Sequence, residues 1–159
     1  MTHYMGLLVA NQPWNLIFFM AIPVILAEFI AVSELFILLT RNVTGGLKKW
    51  NRIAGIVVGL YFVGVFVYLL FNAVIPITTA GAWRGPADMI AVGFYLLGVV
   101  PLSGLALMGL GILGRNANPE GQLKLHATLV ALFLVVAHIA MIFGMLNPQL
   151  LMATGPMSM

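Results

Sequence analysis

The sequence contains no cysteine, and only 7% of its residues carry a charge. The absence of cysteine excludes disulfides, thiolate metal sites and thiol redox chemistry. Soluble domains have about 25% charged residues, so a water-soluble core does not account for a chain that is 62% hydrophobic. A mean hydropathy of +1.10 is typical of a helical membrane protein instead.

Catalytic motifs are also absent from the sequence. It has no Ser/His/Asp set, phosphate-binding loop, HExxH or paired ExxH di-metal motif, so hydrolytic and phosphoryl chemistry have no support. The net charge of +3 comes from residues that flank apolar stretches, so we expect no nucleic-acid partner. We therefore name no catalytic residue, and the missing motifs weigh against an enzyme without deciding the question.

Four long apolar stretches account for most of the chain. A membrane-spanning helix needs about 20 apolar residues, and none of the stretches shows the strict alternation of a barrel strand. The sequence therefore predicts an all-α, integral membrane four-helix bundle in a lipid bilayer, with residues 1–159 forming a single transmembrane domain. The predicted spans are 14–40, 52–76, 87–114 and 122–147.

The loops between these spans predict the topology. Basic residues are concentrated in the first and third loops: Arg41, Lys48, Lys49, Arg52, Arg115 and Lys124. Because cytoplasmic loops are enriched in lysine and arginine, both loops are expected in the cytoplasm and both termini outside. The first residues lack a positive n-region and a cleavage site, so the first span should be retained. We expect a multi-pass protein of the bacterial inner membrane.

Two carboxylates interrupt the first span. Glu28 and Glu34 lie within it, and no basic residue follows until Arg41. A charge near the bilayer centre costs at least about 2.5–3.5 kcal/mol on insertion scales, so both acids need partners inside the protein. The fourth span offers two imidazoles, His126 and His138.

Helix geometry allows these four residues to meet. With a rise of about 1.5 Å per residue, Glu34 and His126 fall at nearly one level, close to the cytoplasmic face. Glu28 and His138 fall nearer the middle, offset by about 7 Å. If the first and fourth spans touch, the helical rotation between residues lets both pairs form together. The sequence therefore predicts an internal Glu/His cluster.

Three functions fit such a cluster. The first is binding or passage of a cation, either a proton or a transition metal with Glu28, Glu34, His126 and His138 as ligands. The second is a small membrane subunit of an electron-transfer complex that binds haem b or quinone, with His126 or His138 as axial ligand. The third is a structural or assembly subunit without ligand, in which the four side chains only fix helix packing.

Other residues have simpler interpretations. Asp88 is expected at the water-facing start of the third span, beside the positive end of the helix dipole. Pro23 and Pro101 should kink their spans, and Gly55 with Gly59 forms a GxxxG pattern of close helix packing. Soft ligands near the outer ends raise the alternative of a metal-collecting surface: Met1, His3, Met5, Met152, Met157 and Met159.

Two stretches carry a resemblance to known proteins. NQPWNLIFFMAIPVILAE in the first span and LHATLVALFLVVAHIAMIFGMLNP in the fourth resemble small bacterial inner-membrane proteins labelled permeases. The resemblance implies no substrate and no mechanism. Because 159 residues leave little room for alternating access, a transporter of this size is expected to be a homo-oligomer or a subunit of a membrane complex.

Overall fold

The computed structural model describes residues 2–41 and 45–148. Within these ranges the chain forms five helices and no strand. A short helix comes first and is followed by four helices that are long and apolar enough to cross a membrane. The helices are α1 (His3–Val9), α2 (Trp14–Thr40), α3 (Gly46–Thr79), α4 (Pro86–Gly109) and α5 (Pro119–Met145).

Two helix boundaries differ from the sequence prediction. Helix α3 begins at Gly46 rather than at residue 52, so the basic residues Lys48 and Arg52 stand on its first turns and not in a loop. Helix α4 ends at Gly109 rather than at residue 114. Gly111 and Gly114 follow with φ angles of 76° and 75°, a left-handed conformation that glycine adopts at little cost and that ends a helix.

Two wide π-helical turns precede Ile-Pro pairs in the membrane helices. One covers Ile17–Ala21 in α2, and the other covers Leu70–Val74 in α3. Proline lacks an N–H and clashes with the carbonyl four residues before it, and a wider turn relieves the clash. The structure therefore accommodates Pro23 within α2, and α3 continues beyond Pro76, which the sequence placed at a helix end.

Tyrosines from neighbouring helices bind the carbonyls that the first wide turn releases. The Tyr95 hydroxyl donates to the Phe19 carbonyl at 2.5 Å, and Phe19 stands four residues before Pro23. The Tyr61 hydroxyl donates to the Phe18 carbonyl at 2.8 Å. Because lipid offers no hydrogen bonds to exposed backbone, these two bonds stabilise the wide turn and join α2 to α3 and α4.

The four long helices surround one apolar core. Helix α3 packs on α2 and on the second half of α4, while α5 packs on both halves of α4 and touches α2. Asn51 ties α2 to α3, because its amide nitrogen donates to the Ile30 carbonyl at 3.1 Å and to the Ser33 hydroxyl at 2.7 Å. The core residues, here called the central core, are Ala27, Ile30, Ala54, Val58, Phe62, Leu102, Leu105, Val130 and Phe133.

The bundle has two distinct ends. The end where α2 and α4 finish and α3 and α5 begin carries most of the basic residues and is called the basic end. The opposite end carries α1 and is called the α1 end. There the Thr2 hydroxyl donates to the Gly144 carbonyl at 2.7 Å, and the Tyr4 ring covers Gly144 so closely that a Cβ on Gly144 would lie 2.7 Å from it.

Close packing at Gly59 gives the first test. In Gly59→Ala the new Cβ would collide with the Leu102 carbonyl oxygen and lie 2.6 Å from the Ala106 Cβ. Overpacking of this kind costs about 1–3 kcal/mol, so we expect a lower free energy of unfolding when the protein in detergent is titrated with SDS and followed by circular dichroism. The control is Gly64→Ala on the same helix, where no neighbouring atom lies within 4 Å. Equal stability of the two variants would contradict the close α3–α4 contact.

Candidate functional site

Glu34 and His126 meet at the basic end of the bundle. Glu34 Oε2 lies 3.0 Å from His126 Nδ1, and the side chains are only 7% and 16% exposed. The two residues stand on α2 and α5, and the estimate from the helical rise placed them at one level. The structure thus brings together one of the two pairs that the sequence predicted.

This pair is close but incompletely hydrogen-bonded. The 3.0 Å contact between Glu34 Oε2 and His126 Nδ1 lacks the alignment of a hydrogen bond. His126 Nδ1 and the other carboxylate oxygen, Glu34 Oε1, are both buried without a hydrogen-bond partner. Buried polar atoms are almost always paired, and an unpaired atom needs a physical explanation. A carboxylate beside an imidazole has the chemistry to accept, share and release a proton.

A cavity of about 370 Å³ connects the pair to the basic end. Glu34, His126 and the buried Asn51 are among its polar lining residues, and three basic side chains also line it: Lys48, Arg52 and Arg115. Arg52 is held in place because its Nε donates to the Gly109 carbonyl at 2.5 Å. We call this space the basic-end cavity.

Glu28 and His138 do not form the second predicted pair. Both side chains are exposed, and no hydrogen bond or ion pair joins them among the residues that the structure describes. His138 Nδ1 instead donates to the Leu134 carbonyl of its own helix at 2.6 Å. A neutral His138 therefore keeps its Nε2 lone pair as an acceptor.

Glu28 and His138 nevertheless line one cavity, of about 320 Å³. Because they are exposed residues of α2 and α5, the space opens at the bundle surface between these two helices, and we call it the lateral cavity. Its other walls are apolar and aromatic and include Phe62, Tyr95 and Phe133. The geometry suits an apolar molecule with a polar group at the opening.

The central core separates the two cavities. Ile30 lies between Glu28 and Glu34 on α2, and Val130 lies between His126 and His138 on α5. Both are buried core residues that line neither cavity. The Glu/His cluster that the sequence predicted is therefore divided into two sites, with buried apolar residues between them along α2 and α5.

This division bears on the metal and haem hypotheses. Among residues 2–41 and 45–148, no group of three or more histidine, cysteine or acidic side chains stands close enough to hold a metal ion. His126 and His138 are 12 positions apart on one helix, which is about 18 Å, so one haem iron cannot take both as ligands.

A third acidic site lies at the α1 end, where the sequence prediction was wrong. Asp88 was expected to face water, but it is completely buried. Its Oδ1 accepts from the His3 backbone N–H at 2.6 Å, and its Oδ2 lies 2.5 Å from His3 Nδ1. The Arg84 backbone N–H also donates to Asp88 Oδ2 at 3.2 Å. This carboxylate fastens α1 to the start of α4.

The same contacts bear on the proposed metal-collecting surface. His3 contacts Asp88 through its Nδ1. The centroids of the His3 and Trp83 rings lie 6.4 Å apart in an edge-on arrangement. Met5 packs in the small apolar cluster under α1. Burial in that cluster raises the pKa of Tyr4 to about 12, so its phenol stays neutral at physiological pH. Met1, Met152, Met157 and Met159 lie outside the described residues.

The chain belongs to DUF6803, a family of unknown function, whose model matches residues 1–159. No curated protein matches the chain. No solved structure matches it either.

The Asp88 site gives the second test. In Asp88→Asn the amide cannot accept from both His3 and Arg84 as the carboxylate does, so a buried donor is left unpaired at a cost of about 1–3 kcal/mol. We expect α1 to detach more often, which hydrogen exchange of the amides in His3–Val9 would detect as faster labelling. Glu120→Gln is the control, because that carboxylate is 73% exposed in a surface pair with Lys124. Unchanged exchange in Asp88→Asn would show that the carboxylate does not hold α1.

Proposed function

We propose that this protein binds protons at the Glu34–His126 pair and passes them across the bacterial inner membrane. The observation that carries the proposal is the buried pair itself, with Glu34 Oε1 and His126 Nδ1 unpartnered beside a cavity that leads to the basic end. Ionisable residues inside a membrane helix are costly, and they commonly mark ion or proton paths. A proton moving between the two side chains needs no further ligand.

The charges around the pair favour a proton over a metal ion. Lys48, Arg52 and Arg115 line the basic-end cavity, and their positive field opposes entry of a divalent cation about twice as strongly as that of a singly charged proton. A transition metal also needs more protein ligands than one carboxylate and one imidazole for a firm site. A proton can instead arrive through water and bind directly to either group.

Passage to the other side requires a second group and a rearrangement. Glu28 and His138, at the lateral cavity, are the next titratable side chains along α2 and α5. The apolar layer of Ile30 and Val130 lies between the two sites, so a proton crosses only when water or a helix movement opens that layer. A homo-oligomer, or a complex in which this chain is one subunit, would supply a mobile interface for such a movement.

The orientation of the protein in the membrane is predicted from the distribution of its lysines and arginines. The positive-inside rule places the basic end in the cytoplasm and the α1 end outside. Under this orientation the basic-end cavity is open to cytoplasmic water, and the pair exchanges protons with the cytoplasm.

Proton flux in proteoliposomes tests this function. The purified protein is reconstituted in vesicles that contain a pH-sensitive dye, and a potassium gradient with valinomycin drives proton entry. We expect Glu34→Gln to slow dye acidification by roughly 100-fold, since a positioned acid or base contributes a factor of that order. His126→Gln should have a similar effect, whereas Glu120→Gln should behave as the wild type.

Other outcomes would assign a different role. If the wild-type protein gives no flux above that of empty vesicles, proton passage is wrong. If metal analysis of the purified protein finds a stoichiometric ion that Glu34→Gln removes, the pair binds a metal. Normal flux in both site variants would leave helix packing as the role of the pair.

The lateral cavity favours a second candidate function, quinone binding in an electron-transfer complex. Its aromatic walls and its opening between α2 and α5 suit a flat apolar ring that enters from lipid. His138 Nε2 would accept a hydrogen bond from a reduced quinone, because Nδ1 already donates to the Leu134 carbonyl. A haem with His138 as its one histidine ligand would use the same nitrogen.

Extraction of the purified protein tests this candidate. Organic extraction and chromatography should recover quinone from the wild-type protein, and Ala137→Phe should lower the recovery by about fivefold or more, since overpacking of about 1 kcal/mol or more opposes the ligand. Ala137 lines the lateral cavity. The control is Ala131→Phe, an exposed position on the same helix that does not line it. Absorbance in the Soret region would indicate haem, and the absence of both pigments would reject the candidate.

A further inference from the structure

The basic-end cavity has a charge pattern that proton binding does not explain. Three cationic side chains, Lys48, Arg52 and Arg115, line it together with one carboxylate, Glu34. Proton exchange at Glu34 and His126 needs water but not three positive charges. In a chain with only seven lysines and arginines, the presence of three of them around one space requires a separate explanation.

These cations are available to a ligand. Within the described part of the chain, no hydrogen bond or ion pair joins the side chain of Lys48 or of Arg115 to another residue. Arg52 uses its Nε to bind the Gly109 carbonyl at 2.5 Å, which fixes the position of its guanidinium group at the cavity wall. Lys124, by contrast, is paired with Glu120 at 2.9 Å on the surface. Within the described residues, none of the three lining cations forms an ion pair with an acid.

We propose that the basic-end cavity binds a phosphate group, with Lys48, Arg52 and Arg115 as its cationic ligands. By formal charge, with histidine counted as neutral, the three cations and Glu34 sum to about +2, which matches the −1.5 to −2 of a phosphate monoester at pH 7. Guanidinium groups bind phosphate oxygens in bidentate geometry. The volume of about 370 Å³ accommodates such a group with its water.

The phosphate oxygens can come from two sources, which differ in charge because a phospholipid headgroup is a singly charged phosphodiester. One is free inorganic phosphate in the water at the basic end. The other is the headgroup of an anionic phospholipid, since basic pockets between membrane helices bind such headgroups. Apolar residues in the cavity wall, among them Leu105, Met108 and Leu113, are compatible with either source. The proposal is independent of proton passage.

A pair of charge-matched double variants tests the site. All four side chains in this comparison are exposed. Lys48→Gln with Arg115→Gln removes two cations that line the cavity, while Lys49→Gln with Arg41→Gln removes two near the same end that do not line it. Inorganic phosphate binding is measured by calorimetry in a neutral detergent. Phosphatidylglycerol binding is measured on delipidated protein by native mass spectrometry, with phosphatidylcholine for comparison.

We expect at least one probe to bind the wild-type protein and the Lys49/Arg41 variant with affinities within about twofold. The Lys48/Arg115 variant should bind that probe about tenfold more weakly or worse, because it loses two charge-assisted hydrogen-bond donors to the phosphate oxygens. Phosphate alone, or phosphatidylglycerol alone, would identify the source. Should the double variant fail to fold, the single variants Lys48→Gln and Lys49→Gln repeat the comparison.

The result separates this site from the proton site. Glu34→Gln removes the one negative charge that faces the ligand, so phosphate affinity should rise while proton flux is lost. His126→Gln leaves all three cavity cations in place, so the phosphate affinity should stay within about twofold of the wild-type value. No binding of either probe, or an equal loss in both double variants, would overturn the proposal.

Discussion

A lipid bilayer supplies no hydrogen bonds, so a carboxylate buried in a membrane protein must find its partner within the chain. Two acids of this protein are buried, Glu34 and Asp88, and each meets a histidine from a distant part of the sequence. One contact joins α2 to α5 at the basic end, and the other joins α1 to α4 at the opposite end. The arrangement of the helices around the core allows both of these contacts to form.

The same constraint explains the backbone. Pro23 leaves the Phe19 carbonyl of α2 without its usual helical donor, and the Tyr95 hydroxyl from α4 donates to this carbonyl. A second released carbonyl is bound by Tyr61 from α3. Polar side chains in the bundle are therefore of two kinds. Tyrosines and Asn51 complete the hydrogen bonding of neighbouring helices, whereas the Glu34–His126 pair remains incomplete, and this difference distinguishes the candidate site from structural polar contacts.

The sequence predicted the four helices and the Glu34–His126 contact, because hydropathy and a constant helical rise are enough to estimate depth. It did not predict the separation of Glu28 from His138. Depth placed them close together. Whether two side chains meet also depends on the distance between their helices and on the side-chain conformations, and His138 bonds a carbonyl of its own helix. It also missed the Asp88–His3 contact, because α1 has only seven residues and no long apolar stretch marks it. The available signal was an acid at a helix start, Asp88, together with a histidine near the start of the chain, His3.

The attachment of α1 has a consequence for biosynthesis. Thr2 bonds the Gly144 carbonyl, 142 positions away, and domains are generally made from the N-terminus onward. The contact between α1 and the end of α5 therefore forms only after α5 has been synthesised. Closure of the α1 end by the Thr2–Gly144 bond is then a late event of assembly.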